Sequence, residues 1–242
     1  HGVMNTDNMT IAGHSIDFGP VAFLDVFDPH AVFSSIDYMS RYAYGNQPVI
    51  AEWNLARFAE ALLPVIMHPH YEQVMTQDEA VTAATEAVTT FRTAYSEAWG
   101  ERFRTRLGLS ADDDAASLGT QLLENLRIAS TDYTSFFANL AHVASSGSIP
   151  SDAAPELLAW YGSWLELNPD AQAVAEHNPV YVPRNHLVEA AIEDAVTHKN
   201  LSTFNRLFDA VTDPYIRRTE LADLERPASL AFAQTYQTFC GT

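Results

Sequence analysis

Positive charge is scarce in this chain: 13 Lys and Arg stand against 31 Asp and Glu in 242 residues, a formal net charge of −18. A surface of that sign repels a phosphate backbone, so nucleic-acid binding is excluded as the purpose of the fold. A nucleotide is not excluded, because its phosphates can be neutralised by a divalent metal and by basic groups gathered in one cleft. A single cysteine, Cys240, leaves no internal disulfide and agrees with a reducing, cytoplasmic setting. No apolar run approaches the ~20 residues that a bilayer span requires, and no charged segment followed by an apolar one opens the chain. Internal repeats and low-complexity stretches are also missing.

What is present is 47% hydrophobic residues, enough for a full core in one large domain. From Gln47 the residues Leu55, Phe58, Leu62 and Val65 recur at three- and four-residue steps, with a kink expected at Pro64 and an end at Pro69. Val81, Ala84, Val88, Phe91, Tyr95, Ala98 and Trp99 continue the 3.6-residue period in a second, longer helix. Further helices are expected at 115–128, 133–143, 153–165, 185–197 and 201–212, the first preceded by Asp112, Asp113 and Asp114, which suit a helix N-terminus. Two short stretches, 9–11 and 15–17, flank Ala12-Gly13 and read as a small β-hairpin. The fold class is therefore mainly α, an α+β arrangement of one small hairpin on a helical body. Trp53, Trp99, Trp160 and Trp164 fall on apolar stripes and are expected in the core. Arg184-Asn185 after Pro183 begins a helix and is explained equally well by a functional motif or by a surface arginine beside a helix-capping asparagine. His68-Pro69-His70 lacks an acidic cluster nearby and reads as a loop that ends a helix.

The chemistry-bearing residues crowd into the first twenty, HGVMNTDNMTIAGHSIDFGP. Laid on the protein-kinase pattern H-R-D-L-x-x-x-N followed by D-F-G, His1 takes the His, Asn8 the metal-binding Asn, and Asp17-Phe18-Gly19 the D-F-G. The position of the usual catalytic-base Asp is Val3, which accepts no proton, while a new carboxylate, Asp7, stands beside Asn8. Asp7 is the natural proton acceptor, being the only other carboxylate of the loop. The Asn8 amide oxygen and the Asp17 carboxylate are hard ligands suited to Mg²⁺ or Mn²⁺. Alone, Asp7 and Asn8 would pass for side chains capping a turn. His1 matches a structural histidine and stays outside the catalytic set.

The order H-G-V-M-N-T-D-N-M, I-D-F-G-P, Phe27-Asp28-Pro29, Arg41-Tyr42, Asn46-Gln47-Pro48, Trp53-Asn54-Leu55, Asn178-Pro179, Pro183-Arg184-Asn185 and Cys240-Gly241-Thr242 resembles the selenoprotein O family over essentially the whole chain. The resemblance implies a protein-kinase-like C-terminal lobe spanning 1–242. Its catalytic loop and D-F-G would lie in 1–20, an activation-like segment in 21–48, a helical body in 49–212 and a tail in 213–242. The N-terminal nucleotide-binding lobe would be absent, and the chain alone is expected to be a fragment with little activity. It further implies a bacterial protein adenylyltransferase that moves AMP from ATP to Ser, Thr or Tyr hydroxyls of target proteins. In such enzymes ATP lies reversed relative to kinases, so the hydroxyl attacks the α-phosphate and pyrophosphate leaves. By the same resemblance Asp7 is the proton acceptor, Asn8 binds metal, and Asp17 binds metal and ATP. Cys240 stands where animal members carry selenocysteine and is a redox candidate, although Phe33 occupies the place of the cysteine with which some bacterial members pair it. Transfer of UMP from UTP, ordinary phosphate transfer, and a catalytically dead binding module remain alternatives.

Overall fold

Apolar residues at helical spacing set the architecture, and the computed structural model describes it for residues 2–16, 18–19, 21–68 and 75–239. His1, Asp17, Pro20, 69–74 and Cys240 to the end lie outside the described residues, so the readings of His1, Asp17, His70 and Cys240 have no structural counterpart below. The chain divides into two units: one from the stretch up to Val21, Pro29–Ala98 and the tail from Gln237, the other from Ala22–Asp28 and Trp99–Tyr236. No helix among the described residues is long and apolar enough to cross a membrane.

The first unit carries α1, Gln47–Ile66, and the N-terminal part of α2, Gln77–Arg106. Pro48 opens α1, where its missing N–H costs nothing, and Pro64 is accommodated within its last turn. Thr76 and Glu79 open α2 as a reciprocal capping box: the Glu79 carboxylate accepts from the Thr76 amide at 2.8 Å, and the Thr76 hydroxyl accepts from the Glu79 amide at 3.3 Å. Glu52 of α1 and Arg92 of α2 pair at 2.8 Å.

The second unit holds the rest of α2 and then α3, Ala115–Ile128, α4, Tyr133–Ser146, α5, Pro155–Glu166, α6, Ala171–His177, α7, Asn185–Thr197, α8, Ser202–Thr212, and α9, Leu230–Thr235. Of the three acidic residues before α3, Asp114 is the cap, accepting from Ser117 N at 3.0 Å. The core gathers Phe103, Leu122, Phe137, Leu140, Trp160 and Trp164. The buried indoles are satisfied, Trp160 donating to Leu118 O at 3.0 Å and Trp164 to Leu107 O at 2.9 Å. Gly119 lets α3 come this close, because a Cβ there would drive into the Phe103 ring. Gly108, at φ +64°, ends the α2 turn where a side chain would meet Asp170 O at 2.6 Å.

Burial, with the charge of Asp152 adding to it, pushes the Tyr161 phenol from 10.0 up to about 12. The unfolded chain then loses this proton first, so the full contribution stands below pH 10 and is lost as pH rises from 10 towards 12. We expect urea midpoints to fall across that window and the fall to flatten in Tyr161→Phe; an unchanged slope in the variant would refute this.

The mainly α expectation stands, and α3 and α7 occupy the expected spans. The small hairpin does not form in the described residues: 10–13 make a turn closed by Gly13 N donating to Thr10 O at 3.2 Å. Thr10 Oγ1 accepts from His14 N at 3.2 Å and donates to His14 O at 3.0 Å, so the side chain bonds the backbone across this turn.

Candidate active site

The loop that bears the candidate residues is held from three sides, all within the first unit. Val3 is buried, and its carbonyl accepts from Asn8 Nδ2 at 3.2 Å. Asn54 of α1, itself buried, donates from Nδ2 to Met4 O at 2.8 Å. Tyr42 donates its hydroxyl proton to Asn5 Oδ1. Thr6–Asn8 then forms one 3₁₀ turn, with Asn8 N donating to Asn5 O at 3.0 Å.

On that turn Asp7 and Asn8 are adjacent but differently placed. Asp7 is exposed and makes no hydrogen bond or ion pair among the described residues, so its carboxylate is not the cap of a local turn. Asn8 is half-buried, and its amide nitrogen is turned to Val3 O, which directs the amide oxygen the other way. Val3 faces the core, where a carboxylate would be cut off from water. The valine therefore packs, and the carboxylate that meets solvent is Asp7.

Among the described residues no three His, Cys, Asp or Glu gather around a point. A Mg²⁺-type ion in nucleotide enzymes is usually held by one or two protein oxygens plus phosphates and waters. The two metal ligands expected from sequence are Asn8 and Asp17, and Asp17 lies outside the described residues.

Beyond the loop, 29–48 runs through tight turns. Asp37 accepts from Arg41 N at 2.9 Å and Tyr42 N at 2.8 Å, and Tyr44–Asn46 forms a 3₁₀ turn leading into α1. Residues 33–35 also meet the tail: Thr238 N donates to Phe33 O and Ser35 N to Thr238 O, both at 2.8 Å, an isolated parallel bridge. The earlier part, 22–28, belongs to the second unit, where Phe23 exchanges two 2.8 Å hydrogen bonds with the Asn185 side chain.

A family model described as protein adenylyltransferase SelO matches residues 1–212. The chain belongs to the SelO family. Proteins named protein nucleotidyltransferase YdiU are 47% identical in Mycolicibacterium paratuberculosis and 47% in Pseudarthrobacter chlorophenolicus, and in each case all of this chain aligns with 50% of the relative. The one from Mycolicibacterium smegmatis is 48% identical, with all of this chain aligning to 48% of it. The chain thus spans about half the length of the curated relatives it matches.

Two readings of single residues need correction. Trp53 is not core: it is 42% exposed, with the Arg41 guanidinium 4.8 Å and the Arg57 guanidinium 5.3 Å from its ring centroid. Arg184 is not on the surface: its side chain is 1% exposed, held by Asp25, by Asp132 at 2.8 Å and by Glu225 O at 2.9 Å. Trp53 fails because helical periodicity names a face without naming what covers it, and Arg184 because its partners are remote in sequence. Asn5 and Tyr42, which steady the SelO-type loop, were not singled out as site residues. Asn54 left a readable trace, a polar side chain four residues after buried Ile50 on the inward face of α1.

Proposed function

We propose that the protein containing this chain transfers AMP from ATP to Ser, Thr or Tyr hydroxyls of other proteins. The chain would supply the kinase-like C-terminal lobe, with the catalytic loop and D-F-G in 1–20, the activation-like segment in 21–48, the helical body in 49–212 and the tail in 213–242. The observation that carries this reading is the pairing of a buried Val3 with an exposed, unpartnered Asp7 next to Asn8. Membership in the SelO family and the nucleotidyltransferase relatives support it.

In this reading Asp7 takes the proton from the target hydroxyl as its oxygen bonds to the α-phosphorus. The bond from that phosphorus to the bridging oxygen breaks, and pyrophosphate carries the electron pair away. Asn8 and Asp17 would hold Mg²⁺ or Mn²⁺, and Asp17 would also contact ATP; the ion neutralises phosphate charge when bound. Asn54 and Tyr42 keep the loop in register, and Cys240 remains a redox candidate. The setting we infer is the bacterial cytoplasm.

Labelled ATP tests the chemistry in the full-length protein. Label at the α-phosphate should pass to protein, and label at the γ-phosphate should leave as pyrophosphate. Transfer of γ label alone would establish a kinase and overturn this reading, and incorporation from UTP but not ATP would replace AMP with UMP.

A further inference from the structure

The first unit is nearly without positive charge, containing only three Lys or Arg residues, Arg41, Arg57 and Arg92. Two are neutralised: Arg57 pairs with Glu60 at 2.6 Å and Arg92 with Glu52 at 2.8 Å. Arg41 makes no ion pair among the described residues. Its guanidinium instead lies 4.8 Å from the Trp53 ring centroid and 5.6 Å from that of Tyr42. Stacking fixes the plane of the fork while leaving its N–H edge for a carboxylate, the arrangement in which arginine recognises acids.

The backbone beneath it is equally fixed. Asp37 accepts from the amides of Arg41 and Tyr42, and Asn46 Nδ2 donates to Ser40 O at 3.0 Å. Ser40 sits at φ +54°, a left-handed conformation uncommon for serine, and the turn pushes Tyr38 and Met39 outward to 87% and 88% exposure. An unpaired, oriented cation thus stands beside two exposed apolar side chains. The next residue, Tyr42, is bonded to Asn5, two positions before Asp7.

We propose that Arg41, with Tyr38 and Met39, is the docking surface for protein substrates and selects an acidic residue flanked by an apolar one near the target hydroxyl. This rests on the adenylyltransferase reading for the word substrate, but the contact itself does not depend on transfer. Charge complementarity argues for an acid: on a chain of net charge −18, an acidic peptide is repelled except where a cation is unspent.

Two fluorescent peptides test it on the full-length protein. Both carry one Ser among aliphatic residues; one has a Glu beside them and the other a Gln. Without nucleotide, anisotropy should show the Glu peptide bound about tenfold tighter at low salt, with the ratio shrinking as salt rises. Arg41→Gln should bring the ratio close to one, and Arg41→Lys should keep part of it. In turnover assays the KM ratio should follow the binding ratio while kcat does not. Equal binding of both peptides by the unaltered protein, or equal weakening of both by Arg41→Gln, would overturn the proposal. A changed KM for ATP with an unchanged peptide ratio would also overturn it, by making Arg41 a phosphate contact. If the α-phosphate label fails to transfer yet the Glu preference persists and vanishes in Arg41→Gln, the docking surface stands and the adenylyltransferase reading falls.

Discussion

Asp7→Asn in the full-length protein should lower the rate of AMP transfer by about 10²- to 10⁴-fold, the usual worth of a positioned proton acceptor. That corresponds to about 3–5 kcal/mol of transition-state stabilisation. The loss should appear in kcat, with KM for ATP little changed, because an amide keeps the shape of the side chain and removes only its basicity. The fold should tolerate the change, since Asp7 is exposed and holds no partner among the described residues. Single-turnover rates and thermal melts on the same preparation separate the two effects. A variant that transfers AMP at the parent rate would remove Asp7 from the chemistry, and one that melts far below the parent would make it a structural residue.

Arg184→Met should cost about 3–5 kcal/mol of stability, the range found when one member of a buried ion pair is removed. Burial works against the arginine's charge, yet Asp132 and then Asp25 override it, so the guanidinium is held above its ordinary range. With the arginine gone, the Asp25 and Asp132 side chains, only 14% and 11% exposed, would lose their counter-ion and the hydrogen bonds it donates. A surface pair should behave otherwise: Arg206 and Asp223, 41% and 55% exposed, should yield less than about 1 kcal/mol to Arg206→Ala. Urea midpoints for both variants check the contrast, and similar losses at the two sites would defeat it. Adding Asp25→Asn to Arg184→Met should recover part of the stability, which an effect of lost packing alone would not allow.

These two sites mark where sequence was informative and where it was not. The proposal for Asp7 starts from its displacement from Val3, two positions of one contiguous loop, and the structure adds that Val3 is buried and Asp7 exposed. The role of Arg184 could not be found this way, since its carboxylate partners lie 159 and 52 residues away. The helices lie between these cases. An apolar stripe of period 3.6 located α3 and α7, whereas α2 continued past Trp99 to Arg106 because its stop is Gly108, whose close approach to Asp170 depends on tertiary packing. Among the described residues the expected hairpin is replaced by a turn in which the Thr10 hydroxyl bonds the backbone of His14, a local contact that alternation of residue types does not display. Trp53 failed because an indole on a helix serves equally as core or as a platform for guanidinium groups.

The bridge between 33–35 and Thr238 has a consequence for biogenesis. A chain is synthesised from its N-terminus and its domains generally fold as units, the earlier-made first. The second unit has all its residues once Tyr236 is made, but the first is assembled from the opening loop, the α1 region and the tail. The partner of Ser34 in the bridge, Thr238, belongs to that tail. Thr238 thus joins residues that are about two hundred positions before it in the sequence, and the tail is added to the first unit only after the second has all its residues.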